Sequence, residues 1–178
     1  APVERALADA VARIPDPAGV SRMLTEAVRD GHCEPAAVVR ELSAAKLLDR
    51  AHVVDAVDAL LAEGRAVAEG RLYEMVRGYG LPEPLWNVDL RLPGGPVLGG
   101  VDAYWLEEAV AVELDTRVPR GEEVRAEREH LERLGITVIR VAPGALREVM
   151  GRQAVIIRTA LMAAQDREPA AYVMVLPR

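Results

Sequence analysis

"VDAYWLEEAVAVELD", residues 101–115, is the stretch on which the fold turns. Both halves read as strands, because small and apolar residues recur at period two. Yet Asp102, Glu113 and Asp115 stand inside them. Strands disfavour Asp, and like charges facing each other across a ladder repel. Between the halves, Glu107-Glu108 suits a two-residue hairpin corner. That corner pairs Leu106 with Ala109 and sets Asp102 opposite Glu113, with Cβ atoms about 5 Å apart. Asp115, two residues past Glu113, shares their face. The other face is wholly apolar: Val101, Ala103, Trp105, Val110, Val112 and Leu114. One register therefore buries the apolar set and gathers three carboxylates.

Carboxylates held this closely repel unless they are protonated, hydrated or bridged by a cation. Hard cations such as Mg²⁺ take one or two carboxylates together with water and substrate phosphate. The chemistry such a site serves is metal-assisted hydrolysis of a phosphodiester, in which the ion stabilises phosphate charge and acidifies an attacking water. The plainer alternative is an acidic pair on a water-facing sheet surface. Tyr104, on the same face, either seats a phosphate or water or simply covers the sheet.

Outward from the hairpin, the period changes. "LWNVDLRL", residues 85–92, alternates as a strand, and "PGGPVLGG" reads as a turn. Upstream the period is helical. "VERALADAVARI" spaces Val3, Leu7, Val11 and Ile14 on one face. "SRMLTEAVRDG" ends at a stop glycine, Gly31. "EPAAVVRELSAA" opens with Pro35 in its first turn. "AHVVDAVDALLAEG" stops at Gly64, and a further helix runs from about Ala66 to Tyr79. Five helices in the first 80 residues read as a small bundle. Downstream, "GEEVRAEREHLERL" is a charged helix, "ITVIRVA" a buried strand, "PGALREVM" and "GRQAVIIRTALMAAQD" helices, and "AYVMVL" a last strand. The fold class is α/β (α+β): a helical region over residues 1–65, then a mixed-sheet domain over 66–178 with order α-β-β-β-α-β-α-β.

Composition excludes some classes. Of 178 residues, 51% are hydrophobic and 28% charged, which suits a soluble globular chain better than a disordered one. No apolar run approaches the roughly 20 residues of a membrane span, so no membrane partner is expected. A single cysteine, Cys33, fits a reducing, cytoplasmic setting. A net charge of −6 argues against nonspecific coating of nucleic acid. The charge is uneven, however. Residues 117–158 carry nine arginines and six acids, a net of +3, while residues 1–116 are net −9. Arg125, Arg128 and Arg133 either pair with glutamates three or four residues away on their own helix or touch a DNA backbone. His32, His52 and His130 lack metal-ligand spacing.

A resemblance enters on "LYEMVRGYGLPEPLWNV", "VDAYW", "AVAVELD" and the arginine-rich helix leading into "LGITVIRV". Together they resemble the restriction-endonuclease-like PD-(D/E)XK superfamily, and within it an actinobacterial subgroup related to very-short-patch-repair endonucleases. The resemblance implies that Asp102 is the central Asp, that Glu113 is the Glu of D/E-X-K, and that Glu74 supports a Mg²⁺ or Mn²⁺ ion through water. Asp115 stands where that superfamily usually has Lys, and Arg117 is the nearby cation. The His that usually follows is absent, and the only lysine in the chain is Lys46. A guanidinium is a poor general acid or base. These departures imply a catalytically degenerate nuclease-like domain. "PVERALADAV", residues 2–11, resembles the segment following the winged helix of abortive-infection antitoxin regulators, which would place such a winged helix before Ala1. The partners implied are DNA and a second copy of the chain. The alternative is a non-catalytic dimerisation or partner-binding scaffold of a transcriptional regulator.

Overall fold

A computed structural model describes residues 2–116, 128–166 and 171–178. The chain divides into two compact units, Ala1–Ala68 and Glu69–Arg178. The first holds α1 (Val3–Arg13), α2 (Pro17–Arg29), α3 (Pro35–Ala44) and the larger part of α4 (Ala51–Gly78). Asp16 starts α2: its carboxylate accepts the N–H groups of Ala18 and Gly19 at 3.2 and 2.9 Å, with Pro17 at the first helical position. Gly31, at φ 76°, ends it, with His32 N–H on the Ala27 carbonyl and Gly31 N–H on that of Val28. The core of this unit is aliphatic, built on Val11, Leu24, Leu42, Val53 and Leu60.

Sequence periodicity expects two helices where the structure has one. α4 runs through Gly64 without a break. The glycine is there for packing rather than termination. A Cβ at residue 64 would lie 2.3 Å from Pro35 Cγ, so only glycine lets α3 approach this closely.

The second unit is a five-stranded mixed sheet in the order β4-β3-β2-β1-β5. Its strands are β1 (Leu85–Arg91), β2 (Val97–Trp105), β3 (Val110–Leu114), β4 (Thr137–Val141) and β5 (Met174–Pro177). β1, β2 and β3 form an antiparallel meander, β4 lies parallel to β3, and β5 is antiparallel to β1. The crossover from β3 to β4 includes α5, helical over residues 128–133. α6 (Pro143–Glu148) and α7 (Met150–Ala164) follow β4. The expected α/β order is present, and the two helical segments read after "ITVIRVA" are α6 and α7.

Two further details differ from expectation. β2 starts at Val97, inside the stretch read as a turn, which narrows to the Gly95 N–H to Leu92 carbonyl bond at 2.9 Å. Gly100 belongs to this strand, paired with Asp89, and the Arg178 guanidinium lies across it; a Cβ there would sit 1.1 Å from Nη2. β5 starts at Met174, three residues later than the apolar run that predicts it. Among the described residues, no helix is long and apolar enough to cross a membrane.

Candidate functional site

The β2–β3 hairpin keeps the register that its apolar pattern demands. Ala103 faces Val112, Tyr104 faces Ala111 and Trp105 faces Val110. The corner is wider than a two-residue turn. β2 ends at Trp105 and β3 begins at Val110, leaving the four residues Leu106–Ala109 as the connection. Ala109 closes it at φ 50°, and its carbonyl accepts the Thr137 N–H at 2.9 Å.

Extended by one step, this register puts Asp102 level with Glu113, a pair the ladder does not bridge. There the ladder lets go. The last bridged pair is Ala103 with Val112, and the Asp102 carboxylate itself takes the Leu114 N–H, Oδ2 to N 2.6 Å. Asp102 is 5% exposed and is the one buried charged side chain among the described residues. A charge-assisted bond of this length offsets part of the cost of burying the carboxylate.

On the other side of β2, Trp86 faces Ala103 and Val88 faces Val101. Asn87 lies between them, at φ 49°, opposite Asp102. A non-glycine residue in the left-handed region costs of order 1 kcal/mol and marks a place where the strand deviates from regular pairing. On the far side of β3, Glu113 is the parallel partner of Arg140. By register, Asn87, Asp102, Glu113 and Arg140 fall at matching positions on four neighbouring strands, and of these Glu113 and Arg140 are a bridged pair. Arg140 also meets Asp115, Nη2 to Oδ1 2.5 Å.

Exposure along this face changes in one direction. Tyr104, Ala111 and Val138 are buried, with Leu131 and Ile136 in the same cluster. Glu113 is half-buried, and Asp115 and Arg140 are exposed. Thus Tyr104 covers the sheet at the closed end, and burial pushes its phenol pKa up. The face opens at the carboxyl ends of β3 and β4.

Asp102 lies on β2, Glu113 on β3 and Asp115 just past the end of β3, the first buried, the second half-buried and the third exposed. Glu74 sits on the exposed side of α4. Among the described residues no group of three or more His, Cys, Asp or Glu side chains is arranged to hold a metal ion. Arg117 lies outside the described residues. Arg140 and Asn87 are the site neighbours that the sequence reading passed over. Arg140 stood in an apolar run read only as buried strand, and its signal was an arginine interrupting that run. Asn87 carried no signal until register placed it.

The segment before β1 is pinned by aromatic side chains. Trp105 Nε1 donates to the Pro82 carbonyl and Trp86 Nε1 to Glu83 Oε1, each at 2.8 Å. Trp86 also stacks on Tyr73 of α4 with ring centroids 3.9 Å apart.

The class defined by fold and site is an α/β protein with a mixed sheet whose central strand buries one carboxylate. Comparison with family models, with curated proteins and with solved structures gives no match.

Proposed function

We propose that the unit Glu69–Arg178 is a nuclease-like domain of the restriction-endonuclease-like PD-(D/E)XK type, part of a bacterial defence or regulatory protein acting on DNA. Its metal-binding carboxylates persist, while the lysine-dependent step is degenerate. The observation that carries this reading is Asp102: a nearly buried carboxylate, level with Glu113, at the point where the β2–β3 ladder opens. Burying a charge is costly and needs a reason.

The residues suit a two-carboxylate Mg²⁺ or Mn²⁺ site completed by water and substrate phosphate, not a closed protein cage. Asp102 and Glu113 would hold the ion. When bound, it would stabilise charge on the phosphate and acidify a water. Asp102 is oriented by the Leu114 N–H, and Asp115 is engaged by Arg140.

A second reading is favoured by one specific observation. The Leu114 N–H gives Asp102 a structural task that needs no metal. In that case the domain is a non-catalytic dimerisation or partner-binding scaffold of a transcriptional regulator.

Metal titration beside plasmid and oligonucleotide cleavage separates the two. The nuclease-like reading expects Mn²⁺ binding that Asp102→Ala and Glu113→Ala both lose, and any cleavage to vanish in both. Absence of metal binding in the unaltered protein, or cleavage that survives in both variants, overturns it in favour of the scaffold.

A further inference from the structure

Resting on that reading, we propose that Arg140 is the anion-binding residue of the site, contacting a phosphodiester oxygen of the DNA strand held beside Asp102 and Glu113.

The placement is the first argument. Arg140 is the register partner of Glu113 on β4, so the two side chains rise from the same face on adjacent strands. It lies where that face leaves the covered region: Val138, two residues earlier on the same strand, is buried, whereas the Arg140 side chain is 39% exposed. A strand passing over the open end of the sheet meets this guanidinium before it meets the buried carboxylate.

Charge is the second argument. The carboxylates of Asp102, Glu113 and Asp115 disfavour an approaching phosphate, and Arg140 sets a positive charge beside them. A guanidinium also offers five N–H donors in a planar fork that suits phosphate oxygens. Among the described residues its one hydrogen bond goes to Asp115, through Nη2. While no strand is bound, the Asp115 contact holds the fork over the site.

Exchange of partners is the third argument. The Asp115–Arg140 pair is exposed on both sides, and such pairs contribute little to stability. Turning Arg140 from carboxylate to phosphate therefore costs little. Asp115 acts as a placeholder that keeps the side chain over the site while no strand is bound.

The test uses fluorescence anisotropy of a labelled DNA duplex titrated with the full chain in Ca²⁺, over a series of salt concentrations. Arg140→Ala is expected to weaken binding about tenfold and to lower the slope of log affinity against log salt by about 1, the signature of one lost phosphate contact. Arg140→Lys restores the slope and part of the affinity. Asp115→Asn tightens binding, because a competitor and a repelling charge are both gone. Unchanged affinity and slope in Arg140→Ala overturn the proposal. So does a loss of affinity without a change in slope, and so does an Asp115→Asn variant that weakens binding as much as Arg140→Ala. Mn²⁺ binding measured on Arg140→Ala is expected to persist. If it persists while DNA binding is indifferent to Arg140, the Arg140 proposal fails and the metal site stands. If unaltered protein binds neither Mn²⁺ nor duplex, both fail.

Discussion

The Asp102 carboxylate reaches across to β3 and accepts the backbone N–H of Leu114, Oδ2 to N 2.6 Å, beyond the last bridged pair of the β2–β3 ladder. A side chain replaces a backbone partner at the place where two strands part. This one bond ties the buried charge to the shape of the sheet around it.

Asp102→Ala and Asp102→Asn should therefore differ. The alanine leaves the Leu114 N–H without this acceptor, at a cost of about 1–3 kcal/mol for a buried donor. Asparagine keeps a carbonyl oxygen there and should lose less. Both should abolish any metal effect. Denaturant unfolding with and without Mn²⁺ checks the order; equal stability of the two variants would contradict the role given to this bond.

Gly64 and Gly70 make a matched pair inside α4. Helix propensity alone favours alanine at both by about 0.5–1 kcal/mol. Gly70→Ala has no atom within 4 Å of the new Cβ and should gain that amount. Gly64→Ala meets Pro35 Cγ at 2.3 Å and should lose about 1–3 kcal/mol instead. Thermal unfolding of both variants reads the opposite signs directly.

Lys46 follows α3 at φ 54°, with its N–H on the Ser43 carbonyl and the Leu47 N–H on the Leu42 carbonyl. This is the helix-ending position that favours glycine. Lys46 is exposed, so nothing packed is lost. Lys46→Gly should stabilise by about 1 kcal/mol, read from the shift of the denaturant midpoint at unchanged slope.

Burial raises the Tyr104 pKa, so in an alkaline titration followed by ultraviolet absorbance its phenolate should form above the ordinary tyrosine range, a late step that Tyr104→Phe removes. The sign follows from linkage. Below the ordinary tyrosine pKa both folded and unfolded forms are neutral and nothing is lost. Above it the unfolded chain ionises first, and stability falls as pH rises. An absorbance titration of the folded protein that is unchanged at its alkaline end by Tyr104→Phe would contradict the packing described.

The α/β order and the hairpin register were legible in the sequence because period-two burial leaves one acceptable pairing. A slip of one residue would have turned Val110 and Val112 away from Ala103 and Trp105. The unbroken α4 was not legible, since a glycine that ends a helix and one that admits a neighbouring proline look alike until Pro35 is placed. Gly100 misled in the same way, because Arg178 lies over it only in three dimensions. Of the site, the acids were visible as violations of strand composition. Arg140 and Asn87 were not, because their meaning comes from which strands lie side by side.

The central claim is that Asp102 and Glu113 share a divalent cation, and the most direct measurement is thermal unfolding in Mn²⁺ against EDTA for the unaltered protein and for Glu113→Gln. A ligand that binds only the folded state raises Tm by mass action. The account predicts a rise of several degrees in the unaltered protein and none in the variant. A Tm indifferent to Mn²⁺, or raised equally in both, would contradict it.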